Sequence, residues 1–201
     1  MKRVINVTFV LFVVFIYGCA KSDLNADDYV KYVESEKNNI KNTKQIEDLS
    51  FSLQYCPTEY LLLKEYKTNN LSEKLIDQRK KDNDSMVFFK LRISAKNNND
   101  ILNYQISSND DYYQRIQYLS YGFEEDIALL NGKDTIFPAL FHFERTYGVV
   151  PFADFMLAFN TKIKEPENFQ VILDDKVFNT GLLKFSYSNK DIQDIPKLKT
   201  N

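Results

Sequence analysis

The one histidine of this 201-residue chain is the side chain best suited to catalysis. His142 lies two positions before Glu144, and residues two apart in a β-strand share one face of the sheet. A carboxylate that orients an imidazole can form a general base, and the same pair can supply half of a metal site. The competing interpretation is the ordinary polar face of an edge strand. A metal site built from several histidines is excluded.

Adjacent carboxylates offer a second chemistry, at Asp110/Asp111, Glu124/Glu125 and Asp174/Asp175. Glycoside hydrolysis needs two carboxyl groups at a defined separation, whereas adjacent acids in a chain point apart. We interpret Asp110 as a helix N-cap and Asp175 as a turn residue. The sequence contains no phosphate-binding glycine loop, zinc-protease motif, nucleophile elbow or calcium loop. We therefore assign no catalytic residue and expect neither a metal nor a cofactor.

Tyrosine and phenylalanine are abundant, with 13 Tyr, 16 Phe and no Trp. Tyr112, Tyr113, Tyr118 and Tyr121 fall within one predicted helix and cannot all face the same side of it. An exposed tyrosine cluster could bind a glycan or a protein, because each ring offers a rigid face and a hydroxyl. The alternative is a core that uses Phe and Tyr in place of Trp.

The N-terminus carries the three regions of a secretory signal. Lys2 and Arg3 precede an apolar run over 7–16, which ends at Tyr17-Gly18-Cys19. This run is roughly half of the 20 or so residues that a membrane-spanning helix needs. We therefore expect the segment to be an export signal rather than a membrane span.

The end of this segment, Ile16-Tyr17-Gly18-Cys19, resembles the lipobox of bacterial lipoproteins, in which an aliphatic, a variable and a small residue precede cysteine. The resemblance implies that residues 1–18 are a signal peptide and that the Cys19 sulfur carries a lipid. Two or three acyl chains make desorption negligible, since each buried CH₂ contributes about 0.8 kcal/mol. Cys56 is then the one remaining cysteine, and we expect no intramolecular disulfide.

The layout as a whole resembles the small lipoproteins common in Bacteroidetes-type bacteria, which combine a lipobox, a polar tether and one β-rich domain. The resemblance implies attachment to the outer membrane, on its periplasmic or surface side. A net charge of −2 leaves no basic excess for nucleic acid. The expected partners are the membrane, through the lipid anchor, and an envelope protein or glycan.

Behind the anchor, the pattern predicts a polar tether over 19–44, one β-rich domain over 45–190 and a polar tail over 191–201. Alternating apolar and polar residues predict strands over 49–55, 87–93, 135–145, 152–159, 169–173 and 182–187. Helical periodicity indicates short helices after Asn25 and over 59–66, 72–81 and 109–121. Asn131-Gly132 predicts a hairpin, and Pro138 marks an edge strand or a bulge.

These elements predict a mainly β or α+β fold, an antiparallel β-sandwich with a few short helices and an immunoglobulin-like arrangement as one option. The sequence favours a membrane-anchored lipoprotein of the cell envelope with a non-enzymatic binding or structural role. The alternative is an envelope hydrolase that uses His142 and Glu144.

Overall fold

The computed structural model describes residues 22–96, 99–146, 148–161 and 168–200. The expected signal peptide and Cys19 lie outside these residues. Within them, the strands are β1 (Lys41–Ile46), β2 (Leu49–Tyr55), β3 (Met86–Ala95), β4 (Ile127–Asn131), β5 (Asp134–Ile136), β6 (Leu140–Glu144), β7 (Phe152–Asn160), β8 (Asn168–Asp175) and β9 (Gly181–Ser188). The helices are α1 (Ala26–Glu34), α2 (Thr58–Tyr66), α3 (Glu73–Asp82), α4 (Asn109–Tyr121) and α5 (Asn189–Gln193).

The strands form two antiparallel sheets, with the orders β1-β2-β3-β7-β6 and β5-β4-β8-β9. The predicted β-rich α+β fold is therefore confirmed. The immunoglobulin-like arrangement of the strands is not confirmed. A constant-type immunoglobulin sheet joins the first, second, fifth and fourth strands, whereas here the first, second, third, seventh and sixth strands share a sheet.

The sheets pack face to face on one buried cluster of apolar side chains. Phe51 and Phe155 enter it from the five-stranded sheet, and Val171 and Phe185 enter it from the four-stranded sheet. Each such side chain contributes about 1.5–3 kcal/mol when fully buried. The Tyr187 hydroxyl donates a 2.8 Å hydrogen bond to the backbone oxygen of Leu53 in the opposite sheet. Apolar burial and this polar contact together fix how the sheets face each other.

The strand expected over 135–145 is divided between the two sheets. β5 ends at Ile136 in the four-stranded sheet, and β6 begins at Leu140 in the five-stranded sheet. Pro138 lies in the crossing segment, where its missing N–H costs no ladder hydrogen bond. Both halves are edge strands, as the proline predicted. The Asn131-Gly132 hairpin is also confirmed, with Gly132 in the left-handed region at φ 60°.

The prediction of a polar tether over 19–44 is wrong for the part of this range that the structure describes. Asn25 caps α1 by accepting from the Asp28 N–H, and Tyr29 and Val33 bury the apolar face of that helix. These side chains join α2 and α3 in a second buried cluster, which covers Phe88 on the outer face of the five-stranded sheet. Residues 41–46 then form the edge strand β1. The folded domain therefore begins well before residue 45.

The prediction of a polar tail over 191–201 is also wrong for the described residues, because this segment too packs into the fold. Leu198 is 8% exposed and forms a parallel bridge with Leu24. The Leu24 N–H donates to the Lys197 oxygen at 2.9 Å, and the Lys199 N–H donates to the Leu24 oxygen at 2.8 Å. Both ends of the domain are thus joined, and their apolar side chains add to the second cluster.

One local expectation changes, and one is confirmed. Ser108 caps α4 by accepting from the Asp111 N–H, so Asp110 is not the cap. Asp175 is a turn residue as expected, because its carboxylate accepts the N–H groups of Val177, Phe178 and Thr180.

Candidate functional site

A polar groove of about 470 Å³ lies on the outer face of the five-stranded sheet. Its floor consists of the outward side chains of β1, β2 and β3. The antiparallel register places them in three rows, namely Lys41–Gln54–Lys90, Thr43–Ser52–Arg92 and Gln45–Ser50–Ser94. Alternate residues of a strand share a face, and adjacent strands lie about 4.8 Å apart. Nine polar side chains therefore stand on one continuous surface.

The segment after α1 and the helix α2 form the walls of this groove. Glu34 ends α1, Glu36 opens a short 3₁₀ turn (Glu36–Asn38), and Lys64 projects from α2. The Thr43 hydroxyl donates to Glu36 Oε1 at 2.5 Å, which attaches the wall to the floor. Lys64 Nζ lies 2.8 Å from Glu34 Oε1 and joins the two helical parts of the wall.

Glu34 is the most tightly held acid of the groove. Its Oε1 accepts from the Tyr60 hydroxyl at 2.9 Å as well as from Lys64. Burial alone would raise the pKa of Glu34, but these two hydrogen bonds and the charges of Lys64 and Lys90 lower it below its ordinary value. Glu34 is therefore a carboxylate at neutral pH, and it accepts hydrogen bonds rather than donating them.

Arg92 is the most rigidly held cation. Its Nε donates to Asp154 Oδ1 at 2.7 Å and its Nη2 donates to Asp154 Oδ2 at 2.6 Å. The guanidinium carbon also lies 3.6 Å from the centroid of the Phe152 ring. The hydrogen bond to Asp154 raises the pKa of Arg92 against the opposing effect of burial. Of the five guanidinium N–H groups, three make no hydrogen bond to the residues that the structure describes, and they are available to a ligand.

Positive charge predominates in the groove although the whole chain is slightly acidic. The lining includes four cations and two carboxylates, namely Lys41, Lys64, Lys90, Arg92, Glu34 and Glu36. The ammonium groups of Lys41 and Lys90 form no ion pair or hydrogen bond with any residue in the described ranges. An anionic group could therefore bind them without displacing an internal partner.

His142 and Glu144 share the outer face of β6, as the strand period predicted, and both are exposed. In the sheet they lie opposite Met156 and Asp154 of β7, on the far side from β1. Neither side chain lines the groove, although the negative charge of Glu144 is near enough to help raise the pKa of Arg92. A role for this pair stays a hypothesis.

The four tyrosines of α4 divide as their helical spacing requires. Tyr113 and Tyr121 are 68% and 74% exposed. Tyr112 and Tyr118 pack against the main core, and the rings of Tyr112 and Tyr113 meet edge to face at 5.6 Å. Two of the four rings therefore point outward, and their use as a ligand surface stays a prediction.

The groove was missed by sequence reasoning for a specific reason. Lys41 and Thr43 fall in the expected tether and Gln45 directly follows it. No strand is predicted there, because the segment 41–46 contains one apolar residue, Ile46. The outward residues of β2 and β3 were recognised as the polar face of each strand, but the register between strands is a tertiary property. The segment is polar at both alternating sets of positions, so no local signal indicates an edge strand.

Metal sites and membrane-spanning helices were the other features sought among the described residues. No group of three or more His, Cys, Asp or Glu side chains among them could hold a metal ion. Across the same parts of the chain, the helices are too short or too polar to cross a membrane.

The comparisons with other proteins give no family assignment. The sequence matches no protein-family model, no curated protein and no solved structure. The class that the fold and the groove define is a two-sheet α+β domain with a polar groove on one sheet.

Proposed function

We propose that this protein is a lipid-anchored lipoprotein of the cell envelope that binds a polar ligand in the groove on its five-stranded sheet. The observation that carries the proposal is the floor of nine polar side chains, set in three cross-strand rows. Side chains that project from hydrogen-bonded strands are held in place before the ligand arrives, which lowers the entropic cost of binding.

The chemistry of the groove favours binding over catalysis. A general acid or base works best with a pKa near the working pH, and the pKa of Glu34 is shifted the opposite way, below its ordinary value. The Arg92 guanidinium is held by Asp154, an arrangement suited to recognising a ligand. These features support a non-enzymatic binding module.

The anchor in this proposal is Cys19, within Ile16-Tyr17-Gly18-Cys19, and the expected site is the outer membrane on its periplasmic or surface side. Cys19 lies five residues before Leu24, which is paired with Leu198 in the fold. Five residues span at most about 18 Å. The domain would therefore stand directly at the membrane surface, with no long spacer.

The binding part of the proposal is tested with a variant that fills the groove. Ser52 stands at the centre of the floor, and Ser52→Tyr adds a ring there without disfavouring the strand. We expect the detergent-solubilised full chain to bind immobilised envelope polysaccharide, and Ser52→Tyr to lose that binding. Thr135→Tyr, on the exposed part of β5, is the matched control and should bind like the wild type. Equal binding by all three proteins would contradict a role for the groove.

The anchor is tested separately by growth with labelled palmitate. Cys19→Ser should abolish incorporation of the label and release the protein from the membrane fraction. Cys56→Ser is the control and should keep the label, because Cys56 is buried in the second cluster. Label retained in Cys19→Ser would refute lipid attachment at this cysteine.

The hydrolase alternative rests on His142 and Glu144 and makes a different prediction. If these residues carry an activity, His142→Ala abolishes hydrolysis of envelope substrates while binding in the groove persists, because His142 does not line it. Hydrolysis that is absent from the wild type, or unchanged in His142→Ala, would exclude this alternative.

A further inference from the structure

We propose that the groove binds an acidic oligosaccharide, whose sugar rings carry carboxylate or sulfate groups separated by neutral hydroxyls. This inference rests on the proposed function, because it names the ligand class of the same groove. It follows from the spacing of the cations, the chemistry of the side chains between them and the carboxylates of the wall.

The cations are spaced for a ligand with several separate charges. Lys41 and Lys90 occupy the two ends of one row, with Gln54 between them, so their strands lie about 10 Å apart. Arg92 follows Lys90 on the same face of β3, about 7 Å along the strand. A chain of sugars that carries an acid on some of its rings could reach them all.

Neutral hydrogen-bonding groups lie between and beside these cations. The floor adds four hydroxyls and two amides, from Thr43, Ser50, Ser52, Ser94, Gln45 and Gln54. Hydroxyl and amide groups both donate and accept, and they match the hydroxyls of a sugar ring. The volume of about 470 Å³ also falls within the usual range for ligand sites of about 300–1,000 Å³.

An acidic peptide fits this floor less well. None of the twelve side chains that line the groove is apolar, so the groove offers no pocket for the apolar side chains of a peptide. The backbone groups of β2 and β3 are already paired on both sides, so a peptide could add a strand only along the outer edge of β1 and not within the groove. Recognition here depends on polar side chains alone.

The wall carboxylates limit the charge density of the ligand. Glu34 and Glu36 stand beside the cations and would repel a polymer with an anionic group on every unit. Both can accept hydrogen bonds from sugar hydroxyls. The combination favours a ligand whose negative groups alternate with neutral, hydroxylated parts.

The test is titration calorimetry on the detergent-solubilised full chain with four probes of similar length. These are a tetrasaccharide in which uronic acid alternates with neutral galactose, a galactose tetrasaccharide sulfated on alternate rings, a neutral galactose tetrasaccharide and a glutamate octapeptide. We expect one of the two acidic sugars to bind at least tenfold more tightly than the neutral sugar and the peptide, and which of them binds identifies the acid group. Added salt should weaken this binding.

The matched variants place the binding in the groove. Lys90→Gln and Lys41→Gln should each weaken binding of the acidic sugar about tenfold, as expected for loss of one charge-assisted hydrogen bond. Lys74→Gln on α3 and Lys133→Gln in the hairpin remove the same charge from exposed positions outside the groove and should have no effect. Arg92 is not substituted, because its removal would leave the buried Asp154 carboxylate without its ion-pair partner.

Several outcomes would overturn this inference. Equal binding of the neutral sugar, tighter binding of the peptide, no binding of either acidic sugar, or acidic-sugar binding that is indifferent to Lys90→Gln would each do so. The proposed function is judged independently by the Ser52→Tyr experiment. Neutral-sugar binding that Ser52→Tyr abolishes would keep the groove as the binding site while excluding an acidic ligand.

Discussion

Arg92 and Asp154 form a two-point ion pair across neighbouring strands on the outer face of the five-stranded sheet. Both N···O distances, 2.7 and 2.6 Å, are those of charge-assisted hydrogen bonds, and the register places the two residues directly opposite each other on β3 and β7. Asp154 is 4% exposed, whereas Arg92 reaches the groove. The pair therefore connects the floor of the groove to the rest of the sheet.

This ion pair should contribute measurably to stability. Asp154→Asn keeps the shape of the side chain but removes its charge, and we expect it to lower the free energy of unfolding by about 1–3 kcal/mol, as for a partly buried charged hydrogen bond. Urea denaturation measures the change. Asp77→Asn removes the same charge from the exposed face of α3 and should stay within about 0.5 kcal/mol of the wild type. Equal stability of both variants would contradict a structural role for the pair.

The hydrogen bonds of Glu34 predict a specific dependence on pH. Because its folded pKa is lower than its unfolded pKa, its contribution to stability is present above the unfolded value and is lost as the pH falls through the folded value. The difference in unfolding free energy between the wild type and Glu34→Gln should therefore be complete at neutral pH and disappear in strong acid. Chemical denaturation at a series of pH values measures it.

The control for this experiment is Glu124→Gln, which neutralises an exposed glutamate after α4. The difference in unfolding free energy between Glu124→Gln and the wild type should change much less over the same pH range. If the difference in unfolding free energy between Glu34→Gln and the wild type stayed constant down to strong acid, the Tyr60 and Lys64 contacts would not stabilise the carboxylate.

The contact between Leu24 and Leu198 predicts that the C-terminal segment is part of the fold. Leu198→Ala should lower the free energy of unfolding by about 2 kcal/mol, at the low end of the range for buried leucines, because the site lies at the edge of its cluster. Lys199→Ala changes the next, exposed side chain and should stay within about 0.5 kcal/mol of the wild type. If residues after 190 were a solvated tail, the two variants would be equally stable.

The burial of Cys56 predicts slow thiol chemistry. Burial raises the pKa of its thiol to about 12, so almost none of it is thiolate at pH 8. We expect alkylation of the native Cys19→Ser chain to be slow and to become fast in denaturant. An added exposed thiol in Lys133→Cys should react quickly in the native protein. Fast native labelling of Cys56 would mean that the second cluster opens readily.

The amino-acid sequence by itself determined the local structure. Alternation in β2 and β3 identifies which side chains face the core and which face outward, because the strand period of two depends on the backbone alone. The Gly132 turn and the capped start of α1 were likewise readable, since they depend on a few neighbouring residues. The lipobox is also local and remains a prediction from the sequence.

Edge strand β1 shows where local information ends. Its inward positions include Asn42 and Lys44 rather than apolar side chains. Asn42 Nδ2 donates to the Ser186 oxygen at 3.1 Å, and Lys44 Nζ lies 5.7 Å from the centroid of the Phe185 ring. Both partners lie on β9, about 140 residues away in the chain. No local pattern could indicate that these polar residues pack against the other sheet.

Only the tertiary structure decided where the functional candidates lie. The groove joins side chains from β1, β2 and β3 with walls from α1 and α2, and it exists because the strand register places Lys41, Ser52 and Arg92 on one surface. The same register leaves His142 and Glu144 on the opposite edge strand, outside the lining of the groove. Residue types and their alternation can be read from the chain itself. Which side chains lie close together depends on how distant strands pair, and that pairing is determined jointly by backbone hydrogen bonds and the shared apolar core.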